Sequence, residues 1–300
     1  MLLVGILTGL ASALFMSVSY VFSRAFIRKH KDPVRLSIFS QFVLIFGGLA
    51  ALGISLFFVR IPFSSGRFWG FLLGEVVFFL IGQTSFFLLL KKVEATRASS
   101  LLGLKLIPLA LIASLLGQNL SFPQWFAVVL CALAAAGMNL TGLSMGLSSL
   151  LWLILAVVFY ALCDICLGEL VTLMPAEHVF LRSLAAIGAC FTAMGLAASA
   201  ALWKFRPAKR ELLDVIPYSF AYFSSILLLL VCFGLLGVVF GNILQSGRGI
   251  LSVLLGMILL RLGWEKTEED VSKKVWGKRL LMAFLMLCAM LLYTLASARR

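Results

Sequence analysis

The sequence predicts an all-α polytopic membrane protein with ten transmembrane helices. Three observations carry that prediction. The 300 residues are 62% hydrophobic with a mean hydropathy of +1.11, well above the ~45–50% apolar content of a soluble domain. The charged residues, 12% of the chain, gather in short clusters between long apolar runs. Runs of about 18 or more apolar residues are long enough to cross ~30 Å of hydrocarbon as helices. Finally, stretches such as Leu151–Val158 and Ile226–Val231 lack the two-residue alternation of a barrel strand. A helix is then the structure that bonds every backbone group internally.

The spans follow in order: 2–22, 37–59, 68–90, 98–116, 122–142, 148–172, 179–203, 215–240, 243–262 and 279–297. The first resembles a signal peptide at Ala11-Ser12-Ala13. However, no Lys or Arg precedes it and the apolar run continues to Phe22, which reads as an uncleaved span. Lys105 interrupts the fourth. The eighth and ninth nearly merge, and Gly241-Asn242-Ile243-Leu244-Gln245-Ser246-Gly247-Arg248-Gly249 predicts a tight break between them. Small residues recur at helix-contact spacing in Gly5/Gly9, Gly70/Gly74 and Gly237/Gly241. The one substantial polar loop, Glu265–Asp270, is too short for a domain.

A formal charge of +13 would suggest nucleic acid in a soluble protein. Here the basic residues sit at span ends, where they meet lipid head groups and set orientation, and no basic-aromatic patch exists for nucleic acid. With loops numbered by the span they follow, odd loops hold 18 Lys and Arg, and even loops with the termini hold 6. The positive-inside rule then puts odd loops in the cytoplasm and both termini outside. The six cysteines all fall within spans, which excludes a secreted disulfide framework. Cys163-Asp-Ile-Cys166 has C-x-x-C spacing without a second pair or a His cluster, so two small residues on a buried face is the reading taken. His30 and His178 read as solvated loop residues. No HExxH, GxSxG or paired-Asp motif is present, which argues against an enzyme. No ATP-binding motif is present either, and no cofactor is expected.

Two stretches carry a family resemblance. Ala13–Arg24 is similar to the first helix of EamA-type transporters of the drug/metabolite transporter superfamily. The segment from Glu94-Ala95-Thr96-Arg97-Ala98-Ser99-Ser100-Leu101-Leu102 through Leu115-Leu116-Gly117-Gln118-Asn119-Leu120-Ser121 to Gln124-Trp125 resembles that family's S-R-A-S-L-L…L-L-G-E-x-L-S…Q-W. Arg248-Gly249-Ile250-Leu251-Ser252 looks like a degenerate second copy of its start. The resemblance implies two inverted five-helix repeats, 1–146 and 147–300, with a substrate site near the midplane. It also implies both termini in the cytoplasm, against the charge count. Two departures stand out: Lys105-Leu106 replaces the family's usual Glu-Pro, and Gln118 its usual Glu. The implied activity is secondary transport of a small metabolite or amphipathic solute through a central cavity by alternating access. Translocation of a lipid or lipid-linked sugar, or a non-transporting receptor or scaffold, are the alternatives. The expected setting is the plasma or inner cell membrane, as monomer or homodimer.

Ionisable residues within spans are costly and mark function by default. Counting ~1.5 Å per residue from the odd-loop side puts Ser17, Gln83, Lys105 and Tyr222 in one polar layer. Tyr20 and Tyr218 join them as candidate substrate-binding residues; Tyr218, Tyr222 and Ser225 share a helix face. Glu75 and Asp164 lie deeper, ~22–24 Å from that side, as candidates for proton coupling. Pairs Asp164–Arg182 and Glu75–Arg248 are expected, and a direct Lys105–Glu75 contact is not. Bland readings stand beside these: Lys105 snorkelling to the odd-loop surface, Gln83 as interhelical glue, the tyrosines as interface aromatics, and Asp164 with Glu169 as a solvated helix mouth.

Overall fold

The computed structural model describes residues 1–90, 101–137, 146–248, 251, 255 and 273–298. Every regular element among them is helical. They are α1 (Leu2–His30), α2 (Pro33–Leu56), α3 (Gly66–Leu90), a 3-10 turn (Leu102–Lys105) running into α4 (Leu106–Leu115), α5 (Phe122–Gly137), α6 (Leu147–Leu173), α7 (Val179–Phe205), α8 (Lys209–Leu236), α9 (Val238–Ser246) and α10 (Lys273–Ala298). Among the described residues six helices, α1–α3 and α6–α8, are long and apolar enough to cross a membrane, and three shorter apolar stretches join them. Most of the predicted ninth span, the charged loop Glu265–Asp270 and the Glu94–Ser100 part of the family-like segment lie outside the described residues.

Local chemistry sets the helix ends. Lys31 turns left-handed (φ 55°) to stop α1. Asp32 then caps α2, accepting hydrogen bonds from the Val34 and Arg35 amides, and Pro33 starts the helix where its missing N–H costs nothing. Glu211 reaches back to accept from the Ala208 amide and caps α8. The α8–α9 break falls at Gly237, in the positive-φ region (84°), and not in the predicted Gly241–Gly249 stretch. Gly241 instead lies within α9 with Phe233 and Cys232 packed against it. That shift carries Arg248 from the mouth of a span to eleven residues beyond the break.

Outward faces are apolar: Phe46, Leu73, Leu133, Leu196 and Phe220 are all exposed. Large apolar side chains on the outside, with Glu75, Lys105, Asp164, Gln245 and Arg248 buried, is the reverse of a soluble fold and matches a lipid solvent. The chain is a multi-pass membrane protein.

The most extensive helix contacts are α2 with α7, α1 with α8, α3 with α6 and α5 with α10. The α2–α7 crossing brings the backbones together at Gly48 and Gly188. A Cβ on Gly48 would stand 2.7 Å from the Thr192 nitrogen, and one on Gly188 2.6 Å from that of Leu52. Of the pairs singled out by spacing, Gly5 and Gly9 seat Leu236 and Leu244, while Gly70 faces open space.

Candidate functional site

Four ionisable side chains meet at one depth. Measured from the even-loop helix ends, Glu75 lies nine residues beyond Gly66, Lys105 ten before Leu115, Asp164 nine before Leu173, and Arg248 eleven beyond Gly237. At 1.5 Å per residue each sits about 14–16 Å in, near the midplane. Lys105 Nζ donates to Asp164 Oδ2 at 2.7 Å, with both side chains buried. The expected shallow placement of Lys105 is therefore corrected: it belongs to the deep layer, with Asp164. Counted from the even-loop end of α4, Lys105 falls level with Asp164, and their direct bond fixes the shared depth.

The other expected pairs also change. Arg182 Nε donates to the Ala176 carbonyl at the helix mouth and leaves Asp164 to Lys105. Glu75 meets the Cys163 thiol (3.7 Å) and not Arg248, and its Oε2 has no hydrogen-bond partner. Arg248 lays its guanidinium over the Tyr20 ring at 5.8 Å.

These four groups line a cavity of about 90 Å³ together with Tyr20, Gln83, Tyr160, Tyr218, Tyr222 and Gln245. A buried water needs ~10–15 Å³ on that measure, so the space admits several waters or part of a small solute. Tyr160 donates its hydroxyl hydrogen to Gln83 Oε1. Tyr218 and Tyr222 stack at 5.7 Å and 13°. Phe79, Phe86, Phe87 and Phe191 supply apolar wall. Ser17 is turned away from this cavity, because its hydroxyl donates to the carbonyls of Ala13 and Arg248; it joins α1 to the end of α9. Ser225 likewise donates to the Ser12 carbonyl. All six cysteines are free, and Cys163 and Cys190 face the cavity.

On the odd-loop side two lining residues, Leu36 and Tyr218, belong to an apolar cluster with Phe26, Phe39 and Val215. Above it sits an ionic network. His30 Nε2 meets Asp214 Oδ2 at 2.9 Å, Lys29 meets the same oxygen at 2.7 Å, and Arg35 Nη1 meets Glu211 Oε1 at 2.8 Å. His30, expected as a solvated loop residue, closes α1 with its ring against Phe26 and faces both Asp214 and Glu211. The network ties α1 and α2 to the start of α8.

Sequence reading missed Tyr160 and Gln245, and named Arg248 only as a partner for Glu75 and not as a cavity-lining residue. Tyr160 carried no charge to mark it. Arg248 was expected at the mouth of a span, and moving the helix break to Gly237 places it at mid-depth.

The polar cavity is enclosed by residues of α1–α3, the 3-10 turn, α6–α9 and Arg248. Residues 3–140 match the model of the EamA-like transporter family, a family of the drug/metabolite transporter superfamily, and over that stretch the chain is similar to it. Members of the family are membrane transporters rather than enzymes. A solved structure described only as "Crystal structure of protein" is similar over 98% of each chain with a TM-score of 0.63 and 15% identity; that likeness is one of fold. No curated protein matches the chain.

Proposed function

We propose that this protein is a secondary transporter that moves a small metabolite or amphipathic solute by alternating access, coupled to protons through Glu75. The observation that carries the reading is the buried layer of Glu75, Lys105, Asp164 and Arg248 at mid-depth in a solvent-sized cavity. Ionisable groups are kept inside a membrane at a cost of several kcal/mol each, and they mark solute and proton pathways.

Two five-helix repeats, 1–146 and 147–300, form the moving parts. Exchanging each helix with the one five places on turns the α1–α8 pairing into α6–α3 and maps α2–α7 and α5–α10 onto themselves. That exchange supports a two-fold relation between the repeats, and an odd number of spans per repeat inverts them. The charged layer is drawn from both repeats: Glu75 and Lys105 from the first, Asp164 and Arg248 from the second. Rocking one repeat against the other would part the Lys105–Asp164 pair and the ionic network over the odd-loop end. The plasma or inner membrane is the setting this chemistry fits, since a proton gradient is available there.

The test is solute-driven proton flux in proteoliposomes loaded with a pH-sensitive dye, using metabolites selected by thermal shift of the purified protein. Solute should drive acidification, and Glu75→Gln should abolish it. Flux that is equal in both proteins, or absent for every stabilising metabolite, contradicts proton-coupled transport.

A further inference from the structure

The charge count of the midplane layer specifies the class of solute. Lys105 and Asp164 neutralise one another in a 2.7 Å buried pair. Arg248 and Glu75 remain, and they do not meet. With Glu75 ionised the empty layer is balanced at zero; with Glu75 protonated it carries one net positive charge, centred on Arg248. A net charge held away from water is costly until a counter-charge arrives.

We infer that the cavity binds a hydrophobic monocarboxylate together with one proton, with the carboxylate on the Arg248 guanidinium and the proton on Glu75. This rests on the transport reading and goes beyond it by naming the solute class. Several features favour that class. Arg248 is 7% exposed and lines the cavity, and its planar fork suits bidentate contact with a carboxylate. The Tyr20 ring beneath it holds the guanidinium in place by cation–π attraction. One net charge matches a carboxylate, whereas a phosphate monoester brings about −1.5 to −2 at neutral pH. Much of the remaining wall is aromatic or apolar, including Phe79, Phe86, Phe191 and the stacked Tyr218–Tyr222 pair, with Gln83 and Gln245 as uncharged polar groups. It offers contact area to a hydrocarbon or ring body and a second full charge no partner beyond Glu75.

The proton site has a defined surrounding. Cys163, Cys166 and Asp164 lie near Glu75 on α6, Cys190 on α7 and Tyr222 on α8. Arg248 lies within electrostatic reach of Lys105 across the layer. Glu75 Oε2 has no hydrogen-bond partner, so a proton there removes an unpaired buried charge. Anion on Arg248 and proton on Glu75 together return the layer to zero, which makes the two ligands mutually supportive. A zwitterionic amino acid would place its ammonium on Glu75 and displace the proton instead.

The probe is 3-phenylpropanoate, with 3-phenylpropanamide and phenylalanine as neutral and zwitterionic isosteres. Binding is read by calorimetry on the purified full-length protein between about pH 6 and 8, where a simple carboxylate stays ionised. The propanoate should bind at least about tenfold tighter than either isostere. Its affinity should rise as pH falls in the wild type and be flat in Glu75→Gln. Arg248→Gln should remove the preference for the anion, and Arg248→Lys, which keeps the charge, should retain part of it. Equal binding of the amide, a preference for phenylalanine, an unaltered Arg248→Gln profile, or no saturable binding overturns the inference. Binding that follows the predicted pattern without flux in proteoliposomes would instead defeat the transport reading and leave the site assignment standing.

Discussion

At the scale of residues, the Lys105–Asp164 pair is the firmest structural commitment. Both charges are buried and directly bonded, so removing one partner strands the other in low dielectric. Lys105→Met or Asp164→Leu should each destabilise by about 3–5 kcal/mol, while the two together should recover most of the loss. Thermal unfolding in one detergent checks this, and a double variant whose loss equals the sum of the singles would contradict the pairing. Composition alone made the ionisable residues Glu75, Lys105 and Asp164 conspicuous, because charge in an apolar run is rare. Their partners were not legible. Pairing depends on depth, depth was counted from span edges, and edges drawn by hydropathy are uncertain by a turn or more. An error of about four residues at the α8–α9 break was enough to misplace Arg248 in depth. Ser17 shows the complementary failure: its depth was compatible with a cavity, but a hydroxyl that can reach a neighbouring carbonyl becomes interhelical glue.

At the scale of elements, close backbone approach and helix caps decide what can move. The α2–α7 crossing leaves no room at Gly188, so Gly188→Ala should cost about 1–3 kcal/mol through overpacking. Gly70→Ala, in open space, should be neutral or slightly stabilising through helix propensity. Unfolding midpoints of the two variants give the comparison. Spacing had singled out Gly70 and passed over Gly188, because a one-dimensional pattern cannot say which face meets a partner. The network of Lys29, His30, Arg35, Glu211 and Asp214 acts as a latch between α1–α2 and α8. Replacing Glu211→Gln and Asp214→Asn together should make the cavity thiol Cys163 react at least several-fold faster with a polar maleimide from the odd-loop side. An unchanged rate would show that the apolar cluster of Phe26, Leu36, Phe39 and Val215 closes that side alone. The helices themselves were largely legible, since apolar length is a local property. The latch was not, because it joins Lys29–Arg35 to Glu211–Asp214 across nearly 180 positions.

At the scale of the whole molecule, the proposal joins the α1–α8, α3–α6, α2–α7 and α5–α10 contacts to the buried charged layer as a hinge around a solute site. The membrane class and the family resemblance followed from composition and short motifs, whereas the composition of the cavity required the fold. The central claim is that the two repeats rock about that layer. Spin labels at Lys31 and Arg210, both exposed at the odd-loop side, report the gap directly by pulsed dipolar spectroscopy in proteoliposomes. The expected result is two distance populations, with the longer one gaining when Glu211→Gln and Asp214→Asn unlatch that side. A single distance, unchanged by pH and by the unlatching substitutions, would contradict alternating access.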